Sequence, residues 1–450
     1  DLAALTTTQV GALTAAQVNE LSAQQLAALT PTQVAALATT TLNGVEASQL
    51  NTLSTAQINA LTTAQVAAIS PAHMADLLPA KFEQLVSGHA AGLTANQLGA
   101  LPAGLLHILT PEALAGLTPT QLGGLQAGQA NAISPAQLGA LNATQLQGLS
   151  TSFVGALTPD HFSSFTAAKL GEFSNAQFAA LAPATIASLT PAQLVNLPAS
   201  RLMSMAPAQV AALGTVQLQS FSTAQISGAG SSFINALSPS QLGSLLTTQV
   251  AVLTTDQIAG LSLNALAGLT APQMGVLTPT QIAAFTTTQL QALSTTQIQN
   301  IAPATVAGLS QTQLANMLRI QFRAFTPQQV AALSSSQITG LNATQMANFT
   351  GAQLRALTAS QFALLTPAQL NALSVSQVAN LAPGQIAQIT PVQITGLTTQ
   401  HVAALTIEQI TGLSPYQIEN MSEAQVRSFT QAQLDSMTPS QRQSVQNALA

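Results

Sequence analysis

The segment Thr366-Pro-Ala-Gln-Leu-Asn-Ala-Leu373 is one copy of an octapeptide that repeats along almost the whole chain. Counted in eights from Thr6, the frame runs to Val445 without an insertion or deletion and contains 55 octads. Position 1 is Ser or Thr in 38 octads, and position 4 is Gln in 40. Position 5 is apolar except in the last octad, where Arg442 replaces it, and position 8 is apolar throughout. This regularity predicts a repetitive structural protein rather than an enzyme.

The first half of each octad has the signals of a helix start. A Ser or Thr at the N-cap accepts a hydrogen bond from the N3 amide, and Gln at N3 accepts one from the N-cap amide, which together make a capping box. Of the 22 prolines, 19 stand at position 2, where a missing N–H breaks no helical hydrogen bond. The apolar residues at position 8 of one octad and position 5 of the next form a hydrophobic staple. Each octad therefore predicts one short helix.

Three other structures fit the pattern less well. In one long helix, each proline would cost about 3 kcal/mol or more, and the apolar stripe would rotate by roughly 80° per octad. A β-solenoid needs apolar residues at alternate positions, whereas here they lie three and five residues apart. Disorder follows from low hydrophobicity and high charge, but this chain is 47% hydrophobic and 5% charged.

The predicted fold is all-α, an α-solenoid with one short capped helix per octad and with positions 5 and 8 inside. A helix of six or seven residues is roughly 10 Å long and is too short to be stable alone, so it must pack against neighbouring octads. Position 7 is usually small, as at Ala36, Gly124 and Ala404, which lets neighbouring backbones approach closely. The number of octads in one superhelical turn stays open between two and four.

The unbroken frame predicts one continuous solenoid over residues 1–450. Asp1 falls at position 4, so the given sequence begins within a repeat and resembles a processed or partial product. The pattern decays after Arg442. It is also weak from Leu78 to Leu109 and at the glycines that flank Ala229.

Composition narrows the possible partners and cofactors. The net charge is −5, and the eight Lys and Arg residues form no cluster, so we expect no nucleic-acid binding. No run of about 18 apolar residues indicates a transmembrane helix. The chain has no cysteine. No motif indicates a cofactor.

Several polar side chains deserve consideration as site residues. His73, His89, His161 and His401 stand at position 4, as do Lys81 and Lys169. If a turn held two octads, His73 and His89 could stack and bind a metal, but two ligands without a third make a poor site. Long polar side chains at a helix start explain these residues better.

The acidic residues and phenylalanines also have structural explanations. Four acidic residues stand at position 3, where a negative charge is favoured by the helix dipole: Glu112, Asp160, Asp256 and Glu408. Twelve of the 14 Phe residues are at positions 5 or 8, and Phe153 and Phe233 replace Gln at position 4. The sequence therefore predicts no catalytic, cofactor-binding or metal site.

The units Leu61-Thr-Thr-Ala-Gln-Val-Ala-Ala68 and Leu365-Thr-Pro-Ala-Gln-Leu-Asn-Ala372 resemble octad tracts of very large, repetitive secreted or surface proteins of proteobacteria, often described as adhesin-like. The resemblance extends over nearly the whole chain. It implies a bacterial, extracellular or cell-surface location, with possible attachment to the cell surface. It identifies no functional residues.

The main functional expectation is a structural protein without catalysis. We expect an extracellular filament, sheath or fibre that assembles by stacking of solenoids and by lateral or head-to-tail self-association. The alternative is a rigid surface adhesin or binding scaffold. However, positions 2, 3 and 6 stay mostly Thr, Ala, Ser, Pro and Gln from end to end, whereas a recognition surface usually varies these residues. An ice-binding protein is a more distant third possibility.

Overall fold

A computed structural model describes residues 2–450. Asp1, which the octad frame places at position 4, lies outside the described residues. Over residues 2–450 the fold is all-α, an α-solenoid of short helices, as predicted. This part of the chain contains 53 α-helices, numbered α1 to α53 in chain order, three 3-10 helices and no β-strand.

The chain forms two compact units, Asp1–Ala229 and Gly230–Ala450. The division falls at the glycine-flanked Ala229 where the repeat is weak. Gly230 has a φ of 76°, a backbone conformation that only glycine adopts readily. The same octad structure recurs within each unit, while the single continuous solenoid stays a prediction.

In the first unit the 3-10 helices are Leu2–Ala4, Ala90–Gly92 and Ala127–Ala132. The α-helices α1 to α26 are Thr7–Gly11, Ala15–Asn19, Ala23–Ala27, Pro31–Ala36, Thr39–Leu42, Ala47–Leu50, Thr55–Ala60, Thr63–Ala68, Pro71–Ala75, Pro79–His89, Ala95–Ala100, Ala103–Leu106, Pro111–Ala115, Pro119–Leu122, Pro135–Ala140, Ala143–Gly148, Thr151–Gly155, Pro159–Phe162, Ala167–Gly171, Asn175–Ala180, Pro183–Ser188, Pro191–Leu194, Ala199–Ser204, Pro207–Ala211, Thr215–Ser220 and Thr223–Gly228.

In the second unit α27 to α53 are Gly230–Asn235, Pro239–Ser244, Thr247–Val250, Thr255–Ala259, Leu263–Leu266, Ala271–Gly275, Pro279–Ala284, Thr287–Ala292, Thr295–Gln299, Pro303–Val306, Gln311–Asn316, Arg319–Ala324, Pro327–Ala331, Ser335–Thr339, Ala343–Asn348, Gly351–Ala356, Ala359–Ala363, Pro367–Asn371, Val375–Ala379, Pro383–Ala387, Pro391–Ile394, Thr399–Ala403, Ile407–Thr411, Pro415–Glu419, Glu423–Val426, Gln431–Ser436 and Pro439–Leu449.

The helix start at Thr366 has the geometry that its sequence predicts. Thr366 is an N-cap in the extended region, with φ −77° and ψ 158°. The Gln369 N–H donates to Thr366 Oγ1 at 3.2 Å, and the Thr366 N–H donates to Gln369 Oε1 at 2.8 Å. Pro367 is the first helical residue. The capping box is therefore confirmed, and it recurs at most octads that have Ser or Thr at position 1.

The helices end slightly earlier than expected. All but two of the α-helices in residues 2–450 have four to six residues rather than six or seven. At a typical end, the Phe285 N–H donates to the Ile282 carbonyl at 3.2 Å, an i to i−3 bond that tightens the last turn. Phe285 and then Thr286 have extended backbone angles, so the chain changes direction before the next helix.

Within each unit, most helices pack against the helix three octads further along, as α4 does on α7 and α39 on α42. Positions 5 and 8 are buried at nearly all octads, and Ile282 and Leu354 have no exposed surface. Burial of such a side chain contributes about 1.5–3 kcal/mol, which offsets the weak intrinsic stability of a five-residue helix.

Small residues at position 7 allow consecutive turns to approach closely. A Cβ added at Gly268 would lie 2.0 Å from the Pro239 carbonyl oxygen, and one added at Gly148 would lie 2.6 Å from the Pro119 carbonyl oxygen. Both pairs join position 7 to position 2 of an octad three places earlier. Glycine is needed there because the backbones nearly touch.

The two longest helices mark irregular octads. α10 (Pro79–His89) runs through Val86, where the pattern lacks an N-cap hydroxyl, and α53 (Pro439–Leu449) runs through the last octad into the residues that follow it. In α53, Arg442 is exposed, and its guanidinium donates to the carbonyls of Asp435 and Met437. A polar group at position 5 thus accompanies the loss of the octad structure.

Candidate functional site

The position-4 glutamines bind two neighbouring parts of the chain at once. Gln329 is 1% exposed. Its Oε1 accepts the Thr326 N–H at 2.8 Å, which is the local capping bond. Its Nε2 donates to the carbonyls of Ile298 and Ile301, both at 2.7 Å, which belong to the preceding turn. Although the Gln329 carboxamide is buried, both of its polar atoms therefore have main-chain hydrogen-bond partners, one N–H donor and two carbonyl acceptors.

This arrangement recurs with a constant spacing, and we name it the glutamine ladder. Each member donates from Nε2 to the carbonyl 28 residues earlier, which is position 8 of the octad four places before. In the first unit the members are Gln33, Gln49, Gln57, Gln65, Gln97, Gln121, Gln129, Gln137, Gln145, Gln177, Gln193, Gln209, Gln217 and Gln225. In the second they are Gln273, Gln281, Gln289, Gln297, Gln313, Gln321, Gln329, Gln337, Gln353, Gln361, Gln369, Gln377, Gln385, Gln393, Gln409, Gln417, Gln425, Gln433 and Gln441.

The ladder determines how many octads make one turn. Its bonds span 28 residues, and helix packing joins octads three places apart. One turn therefore contains between three and four octads, within the range that the sequence allowed. Residues 16 apart, such as His73 and His89, are not neighbours across a turn.

Other residues at position 4 replace Gln by donating to the same carbonyl. The hydroxyls of Thr41, Thr185 and Thr305 donate to the carbonyls of Leu13, Leu157 and Leu277. Lys81 Nζ donates to the Leu53 carbonyl at 2.6 Å, and Lys169 Nζ donates to the Leu141 carbonyl. In each of these five cases the spacing is again 28 residues. Where the cross-turn bond is kept, the requirement at position 4 is thus a side-chain donor that is long enough to reach the carbonyl, whatever its charge.

Arg201 meets the same requirement as a buried cation. Its guanidinium donates to the Phe173 carbonyl, 28 residues earlier, and to the Gly171 carbonyl at 2.9 Å. It also donates to Asn175 Oδ1. Burial lowers the Arg201 pKa. Its observed partners are neutral oxygen acceptors, which indicates a structural role for this charge.

Two of the histidines reproduce the glutamine geometry, and their surroundings determine the tautomer. His401 Nδ1 accepts the Thr398 N–H at 3.2 Å, and Nε2 lies 2.8 Å from the Leu373 carbonyl. His161 makes the equivalent contacts with Thr158 and Ile133. Since an amide can only donate and a carbonyl can only accept, these contacts assign the acceptor role to Nδ1 and the donor role to Nε2.

The other residues considered from the sequence lie at helix starts or in the core. Within residues 2–450, no group of three or more His, Asp or Glu side chains could hold a metal ion. Glu112, Asp160, Asp256 and Glu408 lie in the first turns of their helices, as predicted. Phe153 and Phe233 are buried in the core. None of the helices formed by the described residues is long and apolar enough to cross a lipid bilayer.

Comparison with known proteins supports the repeat assignment. Residues 2–39 and 44–78 match the ALTTAQ repeat family. The second segment contains this motif letter for letter, from Ala60 to Gln65. No curated protein gives a significant match. The motif ends on the glutamine that caps its own helix and also reaches the preceding turn.

Sequence reasoning identified the capping role of Gln but missed its cross-turn bond. A capping box uses only Oε1, which leaves the Nε2 donors without an assigned partner. Their persistence at 40 octads was the available signal, because a buried donor needs an acceptor. The identity of that acceptor depends on the superhelical turn, which the sequence left open.

We expect Gln329→Glu to destabilise the second unit by several kcal/mol, because it places a carboxylate against two carbonyls in a buried site. Gln328→Glu is the matched control, since Gln328 is exposed at position 3, where a negative charge suits the helix start. Urea unfolding followed by circular dichroism measures both. Equal stability of the two variants would contradict a buried, donating Gln329.

We expect the His401 contribution to stability to decrease in acid. Burial lowers the His401 pKa below its ordinary 6.5, although the bond to the Leu373 carbonyl acts in the opposite direction. The unfolded chain therefore takes up a proton at higher pH than the folded chain. The contribution is complete above pH 6.5 and is lost as pH falls through the folded pKa.

The variant His401→Gln provides the control, because glutamine makes the same two contacts without titrating. The free energy of unfolding of the two proteins, measured from pH 7.5 to pH 5 (about one unit or more on either side of the ordinary His pKa), is expected to diverge in favour of the variant as pH falls. Parallel curves would show that His401 protonation is not coupled to folding.

Proposed function

We propose that this protein is an extracellular structural protein, without catalysis, whose solenoids associate into a filament, sheath or fibre. The proposal combines an all-α repeat architecture with self-association of the chain, by stacking of turns or by lateral contact. The observation that carries it is the glutamine ladder, because the ladder holds turns together through main-chain acceptors that every octad has.

Stacking through the ladder needs little side-chain specificity. Gln329 binds the carbonyls of Ile298 and Ile301, and their side chains do not take part in these bonds. A turn of one molecule can therefore offer another molecule the same donors and acceptors that it offers within the chain. The residues at positions 5 and 8 are also apolar in nearly every octad, so they do little to favour one turn over another as a stacking partner.

The outward surface favours lateral contact between molecules. Charged residues are 5% of the chain, which leaves little electrostatic repulsion between neighbouring molecules. Three large side chains at position 3 of the second unit are strongly exposed: Ile320 at 64%, Val392 at 70% and Tyr416 at 64%. Exposed apolar groups of this size are suitable for contact with another surface.

The extracellular or cell-surface location is part of the proposal. The chain has eight Lys and Arg residues and no cysteine, so it offers few trypsin sites and cannot form mismatched disulfides. The octads are short and are joined by the buried hydrogen bonds of the glutamine ladder, so little extended backbone is available to a protease. These properties suit a durable protein outside the cell.

Electron microscopy of the purified 450-residue chain at high concentration tests the proposal. We expect filaments or bundles. A dispersed monomer, seen by microscopy and by analytical ultracentrifugation, would overturn it and favour the rigid surface adhesin instead.

The lateral contact can be tested separately. The triple variant Ile320→Glu, Val392→Glu, Tyr416→Glu is expected to lose bundles while it keeps its helical circular dichroism, because like charges then face each other. The matched variant with Thr at these three positions removes the apolar groups without adding charge and is expected to retain more of the bundles. Unchanged bundling of the Glu variant would show that the lateral contact lies elsewhere.

A further inference from the structure

Gln is scarcest at position 4 in residues 70–117, six consecutive octads of the first unit, and we name them the interrupted segment. Five of the six octads lack Gln at position 4, where the chain has His73, Lys81, His89, Leu105 and Ala113 instead. Leu105 and Ala113 have no side-chain donor. The turns in this segment are therefore joined by fewer hydrogen bonds than turns elsewhere in the unit.

The helices of the interrupted segment are also irregular. The 11-residue helix α10 covers most of two octads and continues directly into the 3-10 helix Ala90–Gly92. Its N-cap, Leu78, makes no side-chain capping bond. Both the caps and the cross-turn bonds that stabilise regular octads are thus reduced in the same place.

Buried polar atoms without partners are concentrated in this segment. Among the side chains of residues 2–450, five such atoms occur, and three of them are His73 Nδ1, Gln84 Oε1 and His89 Nε2. An unsatisfied buried polar atom costs about 1–3 kcal/mol. Opening of the segment would let water satisfy these atoms.

Packing is incomplete between two turns of the segment. A surface cavity of about 430 Å³ is lined by residues of α10, among them Glu83 and Val86, and by Ile108 and Ala113 on the next turn. The lining thus includes Ala113, one of the position-4 residues that have no side-chain donor.

We propose that the interrupted segment is a built-in opening point, at which the first unit unfolds locally before its regular octads do. Proteins open in local units whose free energies depend on buried contacts and hydrogen bonds, and here the ladder bonds, caps and packing are all reduced together. In a load-bearing molecule this segment would extend first. The inference does not depend on whether molecules associate with one another.

Trypsin digestion of the native chain tests the proposal, because Lys81 is the only Lys or Arg before Lys169. Both lysines are at position 4, and each donates to the carbonyl 28 residues earlier. Cleavage requires local unfolding and follows the population of the open form when reclosing is fast. We expect cleavage after Lys81 to be about fivefold faster than cleavage after Lys169. This ratio corresponds to roughly one net hydrogen bond.

The variant His73→Gln restores a ladder member, since its Oε1 can accept the Ser70 N–H and its Nε2 can donate to the Val45 carbonyl, which follows the end of α5. It is expected to slow cleavage at Lys81 by about fivefold without changing cleavage at Lys169. Ala136→Gln is the matched control, because Ala136 is exposed at position 3 outside the segment. It should leave both rates unchanged.

Hydrogen exchange on the unmodified protein gives a second measurement that needs no variant. Amides of residues 79–92 are expected to exchange faster than amides of the regular octads 134–149. Equal cleavage at Lys81 and Lys169, equal exchange in the two regions, or unchanged cleavage of a folded His73→Gln variant would each overturn the proposal.

Discussion

The buried carboxamide at position 4 is the interaction on which the rest of the structure depends. A five-residue helix has too few internal hydrogen bonds to be stable alone, and one octad has only two large apolar side chains. Gln369 connects these short helices in two directions, since it caps its own helix and donates to the Ile338 and Leu341 carbonyls. One side chain thus couples local structure to the superhelical turn.

This dual role explains which substitutions the repeat accepts. His401 preserves both contacts, whereas Thr305 preserves only the cross-turn donor. The N-cap hydroxyl is less essential when Gln is present, because Gln249 still accepts the N–H of Leu246 and Gln217 that of Gly214. At Val86 and His89, where both parts of the box are lost, the helix runs through the octad boundary, whereas at Ala38 and Thr41 a separate helix still begins.

Much of the fold could be predicted from the sequence because its determinants are local. The capping box at Thr366, the staple and the buried positions 5 and 8 all follow from residues within one octad or its neighbour. The superhelical turn could not be predicted, since it depends on contacts between residues such as Gln329 and Ile301 that are 28 positions apart. The cross-turn role of Gln was missed for the same reason, and the helices were expected to be longer because their tight last turn was not anticipated.

The turn length can be measured directly by cross-linking, because the chain has no native cysteine. A Cβ at Gly44 would lie 3.3 Å from Ala15 Cβ, close to the usual separation in a disulfide. Three double variants combine Ala15→Cys with Ala36→Cys, Gly44→Cys or Thr52→Cys. These three residues stand at position 7 of the octads that lie two, three and four places after the octad of Ala15. The ladder predicts rapid disulfide formation only for the Ala15→Cys, Gly44→Cys pair. Preferential cross-linking to position 36 or 52 would contradict a turn set by bonds over 28 residues.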